Sequence, residues 1–260
     1  MYQRMKKCFT LFVLLLMAIG ASAQMEGSSI YFGMTMPRKT RSAGASLGYK
    51  YQYNLSIVEG LGLIGSADLT FTRWNKDTRK ALKTSYNTWL ETLGYDEGEV
   101  KTRFRRSTEF YIPLNVGANY TYQFGRIGAW GEVGIGLGTL FTTSSAMKGS
   151  ESFSIKHEGT NSMGRPTVSY TSGTKHHYYI TRYNPSFGFS WKITLGAMLD
   201  HKYSFGLYID GMSKHKQTKV DKEDVKPYWN SNKDSFTREN KSKSQEKGFT
   251  QVAFRLGYYF

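Results

Sequence analysis

The sequence predicts an all-β fold, an eight-stranded antiparallel transmembrane β-barrel with short periplasmic turns and long extracellular loops. Three observations carry this reading. Eight segments alternate apolar and polar side chains with a period of two. Between residues 24 and 260 there is no apolar run near the roughly 20 residues a helical span needs, although the chain is 39% hydrophobic and 15% aromatic. The connections between the segments alternate short and long. In lipid every backbone N–H and C=O must be paired within the protein, so a chain that cannot span as helices spans as a closed barrel. A barrel strand needs apolar residues only at alternate positions.

The N-terminal segment comes first. Residues 1–7 carry Arg4, Lys6 and Lys7 and no acid, residues 11–21 are small or apolar, and Ala21-Ser22-Ala23 precedes Gln24. This is the pattern of a secretory signal peptide over residues 1–23, with residues 24–260 as the barrel domain. The single Cys8 falls inside the signal, so the processed chain has no thiol or disulfide chemistry.

The strands follow in order. Ile30, Phe32, Met34 and Met36 alternate with Tyr31, Gly33 and Thr35, up to Pro37 and a short basic loop from Arg38 to Arg41. Ala45, Leu47, Tyr49, Tyr51 and Tyr53 oppose Ser46, Gly48, Lys50, Gln52 and Asn54. A slip of one residue there would put Lys50 into lipid. Leu61, Leu63, Ala67, Leu69 and Phe71 oppose Ile64, Ser66, Asp68 and Thr70. A long gap follows, in which Leu82, Tyr86, Trp89, Leu90 and Leu93 share a helical face between an N-cap at Asp77 and a C-cap at Gly94. Packing of this helix on the barrel rim is preferred to a partner-binding role.

The fourth strand is the longest file: Phe110, Ile112, Leu114, Val116, Ala118, Tyr120, Tyr122 and Phe124, opposite Glu109, Tyr111, Asn115, Gly117, Asn119, Thr121 and Gln123. Pro113 removes a ladder donor and predicts a bulge or bend. After a tight turn, Ala129 to Phe141 form a fifth strand with Trp130, Glu132, Gly134, Gly136 and Gly138 on the other face. The three glycines are read as space for Trp130 or Tyr111, not as a phosphate loop, since no Gly-Lys-Ser/Thr follows. Residues 143–182 are a polar gap. Phe187 to Leu199 and Tyr203 to Ile209 are strands six and seven, joined by Asp200-His201-Lys202, and residues 213–247 are a third polar gap. The last strand puts Val252, Phe254, Leu256, Tyr258 and Phe260 on one face and Gln251, Ala253, Arg255, Gly257 and Tyr259 on the other.

The signal segment, the run Tyr-Ile-Pro-Leu-Asn-Val-Gly-Ala-Asn-Tyr-Thr-Tyr over residues 111–122 and the aromatic end together resemble the small OmpA/OmpX-like, porin-like outer-membrane barrels of the Bacteroidota type. The resemblance implies an integral protein of the Gram-negative outer membrane with both termini periplasmic. It further implies that Phe254, Leu256, Tyr258 and Phe260 are an insertion signal read by the barrel-insertion machinery. The family spans adhesins, protective barrels, lipid enzymes and accessory subunits, so it does not choose a function.

An eight-stranded barrel has room only for its own side chains. The inward set, Lys50, Asp68, Glu109, Glu132, Lys192, Asp210 and Arg255, is expected to form a polar network with Gln52, Asn115, Asn119 and Tyr208, because unpaired buried charges are costly. A structural filling is preferred to a proton or ion path. Removing the signal leaves 32 basic and 20 acidic residues, a net charge near +12, much of it in the long connections. These bases suit lipopolysaccharide phosphates or remain a solvated surface; secretion argues against nucleic acid. His157, His176, His177, His201 and His215 are read in loops or turns without catalytic or metal-ligand spacing, so no cofactor or metal is expected. The expected function is a non-enzymatic barrel with a structural or surface-interaction role toward outer-membrane lipid, lipopolysaccharide, a host surface or an envelope-protein complex. The alternative is a lipid-modifying or proteolytic outer-membrane enzyme.

Overall fold

Thirteen strands and one helix make up the computed structural model, which describes residues 27–38, 41–55, 57–92, 101–105, 107–227, 236–246 and 248–260. The expected signal peptide, and Leu93 and Gly94 of the expected helix, lie outside the described residues. Eight strands close a barrel: β1 (Ser28–Thr35), β2 (Gly44–Asn54), β3 (Leu61–Arg73), β5 (Thr108–Phe124), β6 (Ile127–Thr142), β9 (Ser186–Leu199), β10 (Tyr203–Met212) and β13 (Phe249–Tyr259). Each is antiparallel to its neighbours, and β13 joins β1 to close the wall, in the order β1-β13-β10-β9-β6-β5-β3-β2. These are the eight strands the period-two pattern predicts.

Side-chain alternation sorts the two faces of the wall. Leu114, Leu137, Ile193 and Leu256 point outward and are 46–72% exposed, whereas Lys50, Asp68, Lys192 and Arg255 point inward and are at most 2% exposed. A continuous apolar belt facing out around a polar interior is the inverse of a water-soluble core, and it is the surface a barrel presents to lipid. No described helix is long and apolar enough to cross a membrane.

Pro113 does not produce the expected bulge. It lies inward and buried, paired with Gly138 on the β6 side. On the β3 side the rungs Ala67–Leu114 and Thr70–Tyr111 flank an interruption but belong to one register, so a donor is lost without an inserted residue. The glycine reading divides. Gly138 does make room for Tyr111, since a Cβ there would sit 2.8 Å from that ring. Trp130 instead fits against Gly196 and Gly206 of β9 and β10, where a Cβ would lie within 3 Å of the indole.

The two polar gaps are the main departure from expectation. They are not irregular loops but the strands β7 (Ser145–Thr160), β8 (Pro166–Tyr183), β11 (His215–Pro227) and β12 (Phe236–Glu246), which with β4 (Lys101–Arg105) form a second sheet in the order β12-β11-β8-β7-β4. Each continues a barrel strand. Ile127–Leu199 in the barrel and Ser145–Thr181 beyond it belong to one antiparallel register, as do Tyr203–Tyr258 and His215–Glu246. Five of the eight wall strands therefore run on past the barrel as one rising sheet, while β1, β2 and β3 stop short of it.

The buried face changes at the junction. Ser186, Ser190, Lys192, Thr194 and Met198 are the buried residues of β9, and His177 and Thr181 are buried in β8. Met212 and Asp210 are buried in β10, His215 and Gln217 in β11. Near the junction even positions give way to odd ones across Asn184-Pro185 and Ser213-Lys214, where strand geometry lapses, and further out the even Asp224 is buried as well.

The odd face looks over the barrel mouth. Trp74, just after β3, meets Tyr183 edge-on with centroids 6.2 Å apart. In the wall, β3 and β9 are separated by β5 and β6, so this contact crosses the opening. Helix α1 (Lys76–Thr92) lies against the same face. Asn75, not Asp77, caps it, accepting from the Thr78 N–H at 2.9 Å. Tyr86, Trp89 and Leu90, with Leu82 at the margin, pack against Met147 and Tyr179. The helix thus rests on the raised sheet, not on the rim.

Candidate functional site

The lumen is crossed by successive layers of side chains from opposite walls. Nearest the termini, Lys50 of β2 donates to Glu132 of β6 and, at 2.6 Å, to the hydroxyl of Tyr259, and its ammonium stands 4.6 Å from the Trp130 ring. Lys192 of β9 reaches the other oxygen of Glu132 at 3.4 Å. In the next layer Arg255 of β13 donates from Nη1 to Asp68 at 2.8 Å, from Nη2 to Asp210 at 3.2 Å and from Nε to Ser46 at 3.1 Å. Its guanidinium is held between the rings of Tyr208 and Tyr31, with centroids 4.3 and 5.1 Å away, and Tyr31 donates its hydroxyl proton to Asp68. Lys50, Lys192 and Arg255 thus meet Glu132, Asp68 and Asp210, three cations against three anions across the axis. Such pairing offsets the cost of burying each ion, and loss of one member leaves a charge stranded.

Toward the mouth, Ser190 donates to Asn115 at 2.6 Å, and Gln251 to Thr70 at 3.4 Å. An apolar layer of Tyr111, Leu140, Met212 and Phe249 lies above them, with the Tyr111 hydroxyl donating to the Gly211 carbonyl at 2.8 Å. Glu109 is held apart from the two inner layers, at the mouth, where Arg38 and Arg41 both donate to it. Arg38 also covers Phe249 at 4.2 Å, and Arg41 covers Trp74 at 5.4 Å. Burial draws the Arg41 guanidinium below its ordinary pKa, against the opposing pull of Glu109. Burial likewise raises the Tyr183 phenol.

Sequence reasoning placed Arg38 and Arg41 in a basic loop and missed them as ligands of Glu109. The signal was present in the arithmetic of the inward set, which held four acids and only three bases. Four of the five histidines, expected in loops or turns, lie in strands, His157, His176, His177 and His215, while His201 sits in the expected turn, at φ 56°. Among the described residues there is no group of three metal-ligating side chains. On the outside of the wall, Phe254, Leu256, Tyr258 and Phe260 follow one another down the seam, with Phe254 stacked on Phe205 at 6.3 Å.

No protein-family model matches this chain, and no curated protein matches it by sequence. Solved structures that resemble it are outer-membrane proteins. Ail, the attachment invasion locus protein of Yersinia pestis, is 11% identical with a TM-score of 0.37, over 91% of this chain and 100% of its own. A major outer membrane protein of Thermus thermophilus is 9% identical with a TM-score of 0.45, over 90% and 99%. OprG of Pseudomonas aeruginosa is 11% identical with a TM-score of 0.40, over 91% and 97%. Likenesses this distant leave function to be read from the chain's own residues.

Proposed function

We propose that this chain is a non-enzymatic integral barrel of the Gram-negative outer membrane, both termini periplasmic, whose filled lumen anchors a raised sheet and helix that meet partners outside the cell. The observation that carries the reading is the contrast between the two ends. The lumen is crossed by ion pairs and aromatic rings, whereas five strands and α1 continue well beyond the mouth. These crossings favour a filled lumen over a pore, with the wall serving as a mount and the projecting part as the working surface. Residues 1–23 direct export, and Phe254, Leu256, Tyr258 and Phe260 present the last strand to the insertion machinery. Lys50, Asp68, Glu109, Glu132, Lys192, Asp210 and Arg255 hold the wall closed. Partners are outer-membrane lipid and lipopolysaccharide, a host surface, or another envelope protein.

Two measurements test this. Protease added to intact cells should cut within β11 and β12, where lysines are dense, and leave the barrel strands whole. The purified protein in a planar bilayer should show no conductance steps. Steady ion current, or protection of those lysines in intact cells, would defeat the reading.

A further inference from the structure

We infer that the outward face of the raised sheet, where β4, β7 and β8 lie side by side, binds the phosphorylated sugars of an outer-leaflet glycolipid. The inference rests on the outer-membrane reading above and names the ligand for one surface of it. Strand alternation divides the sheet sharply. The odd positions of β7 and β8 pack toward the mouth and α1, and the even positions of β7 and β8 look outward with the odd positions of β4. That outward face carries Arg103 and Arg105 from β4, Lys148 from β7 and Arg182 from β8, all exposed. The nearest carboxylate on it among the described residues is Asp224 of β11, cross-strand from Tyr178, and Asp224 is already engaged by Lys222 and Thr237.

The pairing is unfavourable without a ligand. Arg103 and Lys148 are direct cross-strand partners, which places their Cβ atoms about 5 Å apart, where like charges repel. Three lysines elsewhere in the sheet have a nearby acid: Lys219 reaches Asp221 at 2.7 Å, Lys222 reaches Asp224 at 3.7 Å, and Lys241 reaches Glu239 at 3.3 Å. On the β4–β7–β8 face Arg103 and Lys148 stand directly opposite each other, and a bound anion would relieve that repulsion. Tyr178 lies beside them, its ring 5.3 Å from the Lys148 ammonium, and offers an apolar face to a sugar ring.

Height selects the kind of anion. The outward belt reaches Phe187 on β9, which is 70% exposed, and Arg182 lies five residues away across the break at Asn184-Pro185, in β8, which continues β9 in the same pairing register. At about 3.3 Å per residue and a tilt near 40°, that is roughly 13 Å above the oil boundary. A phospholipid headgroup layer is only about 7 Å deep. The bases therefore stand above simple phospholipid phosphates and level with phosphates carried on the sugars of a larger glycolipid. Because these residues continue the lipid-facing wall, the ligand lies alongside the barrel, in the leaflet, and not over the mouth.

The test uses the full refolded protein in neutral detergent micelles, titrated with purified lipopolysaccharide of short sugar chain, the same material with phosphates removed, vesicles containing phosphatidylglycerol, and a soluble sulfated polysaccharide. The expected result is binding to the phosphorylated glycolipid that weakens with salt. A variant carrying Arg103→Ala, Lys148→Ala and Arg182→Ala should bind roughly tenfold more weakly, because three exposed charge contacts are lost. All three sites are exposed, so the barrel should form, and its unchanged resistance to unfolding in cold detergent checks this. A Lys241→Ala, Lys243→Ala control should bind as the parent does. Equal binding by the triple variant, by the dephosphorylated glycolipid, by the phosphatidylglycerol vesicles or by the soluble polysaccharide overturns the assignment. Because the titration needs no cell, a protein found outside the outer membrane would sink the location reading and leave this result standing.

Discussion

The same five strands behave differently on the two sides of the barrel mouth. Between Ile127 and Thr142, β6 shows a nearly unbroken apolar file to lipid and a mixed one to the lumen, where Trp130 and Leu140 stand among Glu132 and glycines; beyond Thr143 and Ser144, in β7, both faces are largely polar. The pairing register does not change between them. The backbone ladder therefore extends wherever neighbouring strands supply partners, and the solvent decides only which side chains each face tolerates. Lipid enforces the alternation, and water permits almost anything.

The largest test of that contrast lies in the lumen. Arg255→Met should destabilise the barrel by about 3–5 kcal/mol, since Asp68 and Asp210 would be left facing each other without their shared cation; urea titration in phospholipid bilayers would measure it. If the loss were below about 1 kcal/mol, the ion layers would be ornamental to stability.

The outer surface offers a matched pair. Ile135→Arg, in the apolar belt, should cost about 2–4 kcal/mol in the same assay. Val220→Arg, on the outward face of β11 beyond the barrel, should change stability by no more than about 0.5 kcal/mol. Equal costs would mean that belt and sheet sit in the same medium.

Where α1 meets the sheet, effects should be smaller and local. Burial raises the Tyr86 phenol to about 12, above an ordinary tyrosine near 10. The folded form thus holds its proton more tightly than the unfolded one. Docking should be intact below pH 10 and weaken as the pH rises toward 12. Tyr86→Phe removes the ionisation and should abolish that alkaline loss, followed by Trp89 fluorescence. A loss that persists in Tyr86→Phe would assign it to another group.

Least of all is expected from the opposite rim. Arg126 grips Asp200 through two hydrogen bonds, at 2.6 and 2.7 Å, in full view of water. The contact draws the Asp200 carboxyl below its usual pKa. Its contribution is therefore present above the unfolded aspartate value and lost as the pH falls through the lowered one. Asp200→Asn should move the acid limb of the stability profile only slightly; a large shift would show that this turn does more than close a hairpin.

The barrel was legible because oil punishes exceptions: the file from Phe110 to Phe124 has an apolar residue at every second place. The raised sheet was not. In β11, the run His-Lys-Gln-Thr-Lys-Val-Asp-Lys-Glu has no apolar stripe, because one face meets water and the other a polar mouth. The Thr- and Tyr-rich run in β8, Tyr178-Tyr179-Ile180-Thr181-Arg182-Tyr183, was the better clue, since these residue types favour extended chain. The inward charges were named residue by residue, but how they grouped was hidden, because cross-barrel neighbours depend on the stagger of strands far apart in the chain. That is why Glu109 was assigned to the central set when it belongs with Arg38 and Arg41.

One consequence of the raised sheet concerns assembly. The hairpin of β11 and β12 carries its lysines, glutamates and aspartates at the far end of β10 and β13, so in the proposed orientation all of that charge crosses from one side of the bilayer to the other. Nothing so hydrated can be dragged through hydrocarbon. The tip has to pass while the cylinder is still open along a wet seam, and zipping β13 onto β1 must be the final act, after which the cargo cannot return.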